Sequence, residues 1–568
     1  MQVMPKERVA EYTAKGWWGS LTVDSLVQRN RHERADHLAL VDPLNRPSLD
    51  GKEPRRLSWR ELGDEIDRVA AALLDLGLRK GDIVTYQTPN FVETVTLALA
   101  CARLGLIISP VVTAYREHEL GYVLDKVKPK LVVMLAKFAG HDHAAMALKL
   151  REGRDYQVAI LGGDAPAGTI DFDKVIAAAD PVKTSAYVEA NPVAPDEVFT
   201  IFWTSGTEAR PKGVPRDHNL WIVNARMVVE AADLRDGEAL LNPFPLVNIG
   251  SFGVLMAWLW RRGKNVLHHP FDLKVYLQQI DVEKVNYTIA APAILNTVLK
   301  TPALVDSVDL RSLRAIGAGS APLAPWMIET YAQKYGIEVC NMYGSNEGAT
   351  LFSGPVHVAD HTERARFFPR FGVEGIEWPG DASSMISTRL VDPDTEEEIT
   401  QVGRPGELRF QGAAIFSGYY DTPELTARAF DAKGYYRSGD LFEIAGDGPT
   451  PRYYRFVGRC KDIIVRGGVN ISPAELDDLL AGHPALREAA VVGVPDEVLG
   501  ERVCAAIVPA GDQAPSLAEI TDWLRAQGLA VFKLPERVEV VEILPRNPMN
   551  KVVRSELRTQ VLAKIGAA

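Results

Sequence analysis

Cysteine is scarce in this chain of 568 residues, and the four cysteines present are far apart. No two of them form a CxxC pair. This separation argues against structural zinc and against a disulfide framework, and it fits a reducing cytoplasm. We therefore expect each to be an ordinary buried thiol. The four residues are Cys101, Cys340, Cys460 and Cys504.

The sequence also lacks a basic stripe, a secretory signal and an uninterrupted membrane segment. The net charge of −11 disfavours a nucleic-acid partner. The first 18 residues are charged and contain no apolar h-region, so we predict no secretory signal. The longest apolar stretch, residues 94–113, is interrupted by Arg103. Its length permits a membrane span, but a buried helix followed by a buried strand is the favoured interpretation.

Helix and strand patterns alternate through most of the chain. Ser58 followed by Glu61 is a helix-capping pattern, and apolar residues then recur at helical spacing as far as Leu76. A strand-like IVTYQ segment follows at residues 83–87, and the same order recurs further along. Such alternation predicts an α/β fold in which helices cover mostly parallel sheets.

The pattern changes in the last third of the chain. From about residue 385, short strands separated by turn residues predict a β-rich subdomain. A segment rich in glycine, proline and charge, residues 444–462, predicts a domain boundary. We therefore expect a large N-terminal domain over residues 1–458 and a small α+β C-terminal domain over 459–568, which is of ordinary domain size.

The most informative segment is FWTSGTEARPKGVPRDH, residues 202–218. A loop of hydroxyl-bearing residues and glycine can wrap N–H groups and hydroxyls around a polyphosphate, and a nearby ammonium offsets its charge. ATP is the expected ligand. A plain Ser/Thr-rich turn with an accidental lysine is the alternative. The loop residues are Thr204, Ser205, Gly206, Thr207 and Lys212.

Further short motifs follow in a fixed order. Together with the loop they resemble the adenylate-forming superfamily of acyl-CoA synthetases, peptide-synthetase adenylation domains and luciferases. The resemblance extends over roughly residues 35–560. The 406–440 segment is the most specific. The motifs are PFPLVNIGSFGVL at 243–255, AIGAGSAPLAP at 315–325, NMYGSNEGA at 341–349, GELRFQGAAIFSGYYDTPELTARAFDAKGYYRSGD at 406–440, FVGRCKDIIVRGGVNISPAELDDLL at 456–480 and LPRNPMNKVVRSEL at 544–557.

The resemblance implies an ATP and AMP site with defined roles. Tyr343 would stack on adenine, Asp440 would accept hydrogen bonds from both ribose hydroxyls, and Arg459 would reach the ribose or phosphates. Lys551 would contact the substrate carboxylate and the α-phosphate, whereas Glu347 and Thr207 would hold magnesium. Lys551, Glu347 and Thr207 are the implied catalytic residues. The remaining implied nucleotide contacts are Gly319, Ser320, Ala321, Gly344 and Asn346.

The resemblance also implies a mobile C-terminal domain. Lys461 occupies the hinge position, and Gly467 and Gly468 correspond to backbone that approaches the pantetheine chain of coenzyme A. Rotation about this hinge would remove Lys551 from the site between two half-reactions. The plain alternatives are surface lysines, Lys461 in a charged linker and Lys551 ahead of a terminal helix.

The implied acyl pocket contains no arginine or lysine to bind a second carboxylate. This favours a neutral acyl body that is aromatic, alicyclic or of medium chain length. Many relatives carry a histidine where this chain has Asn248, and capping of a helix start is an equally good interpretation of that asparagine. The implied lining residues are Asn248, Phe252, Gly317, Ala318, Gly319 and Met342.

The chain departs from the family pattern at several positions. Glu208 and Ala209 replace Thr-Gly in the loop, Asn346 replaces a threonine, and Asn550 replaces the glycine before Lys551. Asparagine forms hydrogen bonds and tolerates positive φ, so the last two changes preserve the expected local roles.

The function implied is that of an AMP-forming acyl-CoA synthetase. Such a ligase uses ATP, Mg²⁺ and coenzyme A, and it acts on a small carboxylic acid. A stand-alone enzyme that loads a separate carrier protein is the alternative, since the chain has no carrier-type GG-(D/H)-S motif. A non-catalytic relative that binds nucleotide or acyl-AMP is a third interpretation, and the departures above motivate it. A homodimer is kept open.

Overall fold

A computed structural model describes residues 1–163, 165–204, 211–319, 322–466, 469–496, 498–547 and 551–567. The helices are α1 (Lys6–Ala14), α2 (Val23–Glu33), α3 (Arg46–Asp50), α4 (Trp59–Asp75), α5 (Val92–Leu104), α6 (Glu117–Val127), α7 (His143–Leu150), α8 (Phe172–Ala178), α9 (Val182–Ala190), α10 (His218–Ala231), α11 (Ile249–Arg261), α12 (Leu273–Val282), α13 (Pro292–Lys300), α14 (Pro302–Val305), α15 (Pro325–Tyr335), α16 (His361–Arg366), α17 (Ala382–Met385), α18 (Pro423–Ala429), α19 (Pro473–Ala481), α20 (Leu517–Ala526) and α21 (Arg554–Ala567).

The strands, in chain order, are β1 (Leu38–Val41), β2 (Arg56–Ser58), β3 (Ile83–Gln87), β4 (Ile107–Pro110), β5 (Leu131–Leu135), β6 (Lys137–Phe138), β7 (His141–Asp142), β8 (Gln157–Leu161), β9 (Ile170–Asp171), β10 (Val198–Thr204), β11 (Lys212–Asp217), β12 (Ala239–Asn242), β13 (Lys264–Leu267), β14 (Tyr287–Ala290), β15 (Ala315–Gly319), β16 (Glu338–Gly344), β17 (Thr350–Ser353), β18 (Phe367–Pro369), β19 (Ile386–Val391), β20 (Gly406–Gly412), β21 (Tyr436–Ala445), β22 (Tyr453–Arg459), β23 (Ile464–Arg466), β24 (Val469–Ile471), β25 (Leu486–Asp496), β26 (Gly500–Pro509) and β27 (Arg537–Val540).

Two large sheets confirm the predicted α/β class. The first has the strand order β17-β16-β15-β14-β12-β13-β1-β2 and is parallel except for the strand at each edge. The second has the order β11-β10-β4-β3-β5-β8-β9 and is parallel except for β11. Parallel strands need crossover connections, and the helices between the strands supply them.

A third sheet, β18-β22-β21-β20-β19, is antiparallel and forms the predicted β-rich subdomain. A fourth sheet is built entirely from later residues, with β27 added in parallel to β26. This fourth sheet has its own apolar core, which includes Ile464, Leu476 and Val503. The domain boundary at residues 458–459 and the hinge stay predictions.

Helix α4 begins where the sequence predicts it. Ser58 accepts a hydrogen bond from the backbone N–H of Glu61, and the Glu61 carboxylate accepts one from the backbone N–H of Ser58. This reciprocal capping box satisfies two donors that the first helical turn would leave unpaired. The first residue of the helix, Trp59, is fully buried and stacks on Trp258 with ring centroids 4.8 Å apart.

The apolar stretch at residues 94–113 belongs to the protein core. Helix α5 and strand β4 occupy it, and both are buried. Arg103 is paired with the carboxylates of Asp24 and Asp67. In the described part of the chain, no helix is both long enough and apolar enough to cross a bilayer.

Three of the four cysteines are buried as expected, but Cys460 is exposed. The expectation was wrong there because Cys460 lies in the turn between β22 and β23. Its backbone N–H is bonded to the carbonyl of Gly439, and the residue is exposed.

Candidate active site

An open cleft of about 3130 Å³ lies at the carboxyl ends of β14, β15 and β16. Residues of the antiparallel third sheet and of the C-terminal segment complete its walls. Crevices at the carboxyl ends of parallel strands are where α/β folds bind their ligands. We distinguish a charged end, formed by Glu347, Asp440, Arg459 and Lys551, from an apolar end, formed by Asn224, Tyr287, Gly317 and Met342.

Asp440 is held by two neighbours at the charged end. Tyr343 donates its hydroxyl to Oδ2 of Asp440 at 2.6 Å, and Nε of Arg459 lies 3.3 Å from Oδ1. Asp440 on β21 and Arg459 on β22 are direct partners in the strand register. Adjacent antiparallel strands therefore bring together two residues that are 19 positions apart in the sequence.

The ring of Tyr343 is fixed by aromatic packing. It stacks on Phe410 with centroids 5.9 Å apart and meets the edge of Phe442 at 5.1 Å. Burial, together with the nearby Asp440 charge, raises the pKa of the Tyr343 phenol well above its ordinary value. Tyr343 therefore remains a hydrogen-bond donor throughout the physiological range.

Lys551 comes from the C-terminal segment and lies in the same cleft. Burial lowers the pKa of its ammonium to about 8, and the Arg459 charge adds to this effect. The carboxylates of Asp440 and Asp462 oppose the shift. The backbone N–H of Lys551 donates to Oδ1 of Asn547 at 3.0 Å.

Glu347 is buried on the cleft wall, with 6% of its surface exposed. Its Oε1 accepts a hydrogen bond from the Tyr419 hydroxyl at 2.9 Å. The next residue, Gly348, has φ +101°, and a Cβ there would lie 1.9 Å from the carbonyl oxygen of Ala414. Glycine is therefore required at position 348 for the backbone to turn and present Glu347.

Tyr419 also links Glu347 to Lys212, at the end of the predicted polyphosphate loop. The ammonium of Lys212 lies 5.2 Å from the centroid of the Tyr419 ring, within cation–π range. Lys212 donates its backbone N–H to the Thr204 hydroxyl at 3.3 Å, where β10 and β11 pair. The two ends of the loop and the buried glutamate are thus held next to one another.

Asn346 organises the start of α11. Its Oδ1 accepts the backbone N–H of Ile249 at 2.9 Å, and its carbonyl accepts a hydrogen bond from Nη1 of Arg216 at 3.0 Å. Burial lowers the pKa of Arg216 to about 10, and the carboxylates of Asp217 and Glu347 oppose that shift. Arg216 therefore remains charged at neutral pH and holds the segment that carries Asn346 and Glu347.

Asn248 caps helix α11. Its Oδ1 accepts the backbone N–H of Ser251 at 3.0 Å, the usual bond of a helix-capping asparagine. The residue also borders the cleft. Of the two interpretations of Asn248, the cap is present, and a pocket role stays a prediction.

The predicted acyl-pocket residues are only partly brought together. Gly317, Ala318, Gly319 and Met342 border the cleft. Phe252 is fully buried instead and packs on Trp221 with centroids 4.8 Å apart. It lies in the core because position 252 falls on the face of α11 that meets α10.

Small residues on β15 leave less open space than the sequence suggested. A Cβ at Gly317 would lie 2.5 Å from the Tyr287 hydroxyl and 2.7 Å from the Met342 sulfur. At Gly319 it would lie 2.0 Å from the backbone oxygen of Met342. These glycines therefore let neighbouring groups approach β15, and the space above Gly317 is filled by Tyr287 and Met342.

Two more of the predicted site residues are exposed. Lys461 is exposed in the turn after β22 and borders the cleft, and Gly344 is exposed at the end of β16. A further set lies outside the described residues. That set is Ser205, Gly206, Thr207, Ser320, Ala321, Gly467 and Gly468.

A single carboxylate, that of Glu347, fits a magnesium ion whose other ligands are phosphates and water. Glu347 supplies a buried carboxylate on the cleft wall. Among the described residues, no group of three or more histidine, cysteine, aspartate or glutamate side chains could form a metal cage. Mg²⁺ keeps several waters and is often held by one or two carboxylates plus substrate phosphates, so this donor set is sufficient.

Four residues of the site were not singled out by their chemistry in the sequence. Tyr419 lay within the most specific motif, but its bond to Glu347 depends on the fold. Arg216, Tyr287 and Asn224 occupy ordinary strand and helix patterns. Contacts between distant segments place them at the site, and a single sequence carries no signal for such contacts.

Comparisons with known proteins agree with this geometry. Residues 27–420 match the family model described as AMP-binding enzyme, and residues 475–551 match that of the AMP-binding enzyme C-terminal domain. A medium-chain fatty-acid–CoA ligase of Escherichia coli (strain K12) is 30% identical over 99% of this chain and 94% of its own length. A feruloyl-CoA synthase of Amycolatopsis sp is 30% identical over 88% of this chain and 93% of its own length.

A solved structure has the same fold over nearly the whole chain. ATP-bound MatB from Rhodopseudomonas palustris is 27% identical and superposes with a TM-score of 0.75, covering 95% of this chain and 99% of its own. The predicted resemblance is therefore confirmed by family models, sequence relatives and fold. Because both family models match in order over most of its length, this chain belongs to the family of AMP-binding enzymes.

Proposed function

We propose that this protein is an AMP-forming acyl-CoA synthetase that activates a carboxylic acid whose acyl body carries no charge. The observation that carries the proposal is the position of Lys551, which extends from the C-terminal segment into the cleft beside Asp440 and Arg459. A cation brought there by the C-terminal segment suits a reaction between two anions. The names of the CoA-ligase relatives support the same assignment.

The first half-reaction joins a carboxylate to the α-phosphate of ATP. A carboxylate oxygen attacks phosphorus, the bond to the β,γ-phosphates breaks, and pyrophosphate leaves with that electron pair. The acid is already ionised at neutral pH, so no general base is needed. The main difficulty is repulsion between anions, and positive groups at the developing charge reduce it.

In this scheme each described residue has a separate task. Lys551 offsets the charge shared by carboxylate and α-phosphate, and Lys212 offsets that of the outer phosphates. Asp440, held by Tyr343 and Arg459, accepts the ribose hydroxyls. Glu347 would hold Mg²⁺, which when bound supplies charge neutralisation on the phosphates.

The second half-reaction transfers the acyl group to a thiol. The sulfur attacks the carbonyl carbon, the bond to AMP breaks, and the thiol proton is released to solvent. The C-terminal domain would rotate about Lys461, withdrawing Lys551 and bringing Gly467 and Gly468 to the thiol. The location of Lys461 in the turn between the third and fourth sheets supports this hinge. We place the reaction in the cytoplasm, and a homodimer stays a prediction.

Coenzyme A and a carrier protein are the two candidate thiol acceptors. The purified full chain would be given ATP, Mg²⁺ and a panel of short fatty, long fatty, benzoic and alicyclic acids, with pyrophosphate release measured. Acids that support release would then be tested with free coenzyme A and with a pantetheinylated carrier. We expect thioester formation on free coenzyme A.

The outcomes separate the three interpretations. Transfer to the carrier and not to coenzyme A would make the protein a stand-alone loading enzyme. Binding of ATP without pyrophosphate release from any acid would indicate a non-catalytic relative. Release together with acyl-CoA formation would establish the proposed ligase.

A further inference from the structure

Asp440 lies in a bulge of strand β21. Between the paired positions Glu407 and Arg409, strand β20 has a single residue. Opposite it, between the paired positions Arg437 and Leu441, strand β21 has three residues. The three are Ser438, Gly439 and Asp440. Extra residues of this kind redirect side chains and are common next to active sites, so the bulge sets the direction of the Asp440 carboxylate.

Gly439, at the centre of the bulge, is held from two sides. Its φ of +70° is left-handed, a conformation that glycine adopts without steric cost. Its backbone N–H donates to Oε1 of Glu407 at 3.0 Å, and its carbonyl accepts the backbone N–H of Cys460 at 3.0 Å. A bulge takes backbone groups out of the strand ladder, and an unpaired group that is shielded from water is costly. Glu407 and the turn after β22 supply partners in place of the ladder.

Ser438 bonds to two more backbone groups of the bulge. Its Oγ donates to the carbonyl of Leu408, the residue of β20 that faces the bulge. The same oxygen accepts the backbone N–H of Asp440 at 3.1 Å. The two peptide groups that precede Asp440 are therefore each bonded to a side chain, that of Glu407 or that of Ser438.

Glu407 is itself held by a buried arginine. Glu407 is buried and borders the cleft, and its Oε2 accepts a hydrogen bond from Nε of Arg409 at 2.8 Å. Arg409 is fully buried and also pairs with Asp431 and Glu396. An ionised carboxylate makes a stronger hydrogen bond with a backbone N–H than a neutral acceptor does. Glu407 thus has one oxygen bonded to the arginine and the other bonded to the bulge.

We propose that Glu407 is a positioning residue for the nucleotide, which aims the Asp440 carboxylate at the ribose through the bulge of β21. This inference rests on the ribose-binding role of Asp440 in the proposed function, and it adds a residue that has no task in that scheme. Glu407 acts through the peptide of Gly439 and does not touch the ligand. A carboxylate that accepts from two ribose hydroxyls needs one fixed direction, and holding the bulge in advance removes the cost of ordering it on binding.

The sign of the charge effect separates positioning from general electrostatics. ATP is an anion, so loss of the negative charge of Glu407 at the cleft wall would by itself strengthen nucleotide binding. Loss of the bond to Gly439 has the opposite effect, because it frees the bulge and leaves that N–H without its acceptor. Weaker ATP binding in a Glu407 variant would therefore come from the bulge and not from the charge.

The test compares ATP with dideoxy-ATP, which lacks both ribose hydroxyls, on the purified full chain. Equilibrium binding of each nucleotide in the presence of Mg²⁺ gives a ratio of affinities, which we call the ribose ratio. In the wild type we expect ATP to bind about 10- to 100-fold more tightly, as for hydrogen bonds to a charged group. In Glu407→Leu we expect the ribose ratio to fall to about threefold or less, because the carboxylate is no longer aimed at the hydroxyls.

A second variant and a matched control accompany Glu407→Leu. Ser438→Ala removes the other side chain that bonds to the bulge, and it should also lower the ribose ratio. If Glu407→Leu does not fold by circular dichroism, an unchanged ratio in Ser438→Ala overturns the inference.

The matched control is Glu396→Leu. Glu396 pairs with the same Arg409 but, in the described part of the chain, does not bond to Gly439. Its ribose ratio should stay within about twofold of the wild type. Damage that is only structural weakens both nucleotides together and leaves the ratio unchanged.

The outcomes are distinct. An unchanged ribose ratio in Glu407→Leu, or an equal fall in Glu396→Leu, would overturn the inference. Equal binding of both nucleotides by the wild type would overturn it as well, because Asp440 would then not bind the ribose. Pyrophosphate release is measured separately and decides the proposed function. Absence of release with every acid would reject acid activation, and the ribose ratios would still support or overturn the role of Glu407.

Discussion

The two ends of the cleft differ in how their polar side chains are satisfied. At the charged end, Asp440 is bonded to Tyr343 and paired with Arg459, and Glu347 is bonded to Tyr419. At the apolar end, the oxygen of Asn224 has no partner in the described part of the chain. The carboxylates of the charged end are thus held by contacts within the protein, whereas the described residues of α10, α11 and β14 to β17 that border the cleft are all uncharged.

This difference matches the ligands proposed for the two ends. The MatB structure, which has the same fold, contains bound ATP. The acid varies, and the family names reported above include fatty and aromatic acids. A pocket for a variable ligand is therefore expected to differ in individual side chains while the frame around it stays the same.

Removing the cation at the charged end should give the largest effect. We expect Lys551→Ala to slow adenylate formation by about 100- to 1000-fold, the usual loss when one charge-stabilising contact is removed. Thioester formation from supplied acyl-AMP should remain close to wild type, because Lys551 serves the first half-reaction. The two half-reactions would be measured separately by pyrophosphate release and by acyl-CoA formation. Equal losses in both would contradict the separation of roles.

The pH dependence should report the same lysine. Burial lowers the pKa of Lys551 to about 8, so the free enzyme loses this charge as the pH rises through that value. We expect kcat/KM for ATP in the adenylation step to fall by about tenfold per pH unit above pH 8. Bound phosphates favour the ammonium, so kcat should persist to higher pH.

The matched control for this profile is Lys551→Arg. A guanidinium stays charged throughout the accessible range, so the fall above pH 8 should disappear even if the overall rate is lower. An unchanged descending limb in this variant would assign the titration to another group.

Removing the hydrogen bond that holds Asp440, the residue proposed to bind the ribose, should have a smaller effect. Tyr343→Phe removes the hydrogen bond to Asp440 and keeps the ring between its aromatic neighbours. We expect KM for ATP to rise about 5- to 10-fold, which corresponds to the loss of one typical hydrogen bond of about 1 kcal/mol. KM for the acid should not change. A rise confined to the acid would mean that Tyr343 belongs to the other end of the cleft.

Adding one methyl group at the apolar end should raise KM for the acid and leave KM for ATP unchanged. In Gly317→Ala the new methyl group meets the Tyr287 hydroxyl and the Met342 sulfur, which are both side-chain ends and can move into the cleft. We expect KM for the acid to rise about 3- to 10-fold through lost pocket volume. KM for ATP should remain the same, and an equal change for both substrates would contradict the division into two ends.

Much of the fold was predictable because local signals were strong. The Ser58 capping pattern predicted α4, and the apolar stretch at 94–113 resolved into α5 and β4. The order of strands within each sheet was not predictable, since it depends on crossovers between distant segments. Cys460 was predicted to be buried because cysteines usually are, but it lies in an exposed turn.

The residues of the site also fall into those that motifs predicted and those whose position depends on the fold. Asp440, Arg459, Glu347 and Lys551 were identified from motifs, and the structure brings them to one cleft. Phe252 was assigned to the pocket by resemblance to the family, and in the structure it is fully buried against Trp221.

The central claim is that a carboxylic acid is activated by AMP in a cleft to which the C-terminal segment contributes Lys551. The most direct measurement is to incubate the purified chain with radiolabelled ATP, magnesium and a broad acid library, and to isolate the labelled product. The account predicts a labelled acyl adenylate and an equal amount of pyrophosphate with at least one acid. ATP that binds but yields no adenylate with any acid would contradict it.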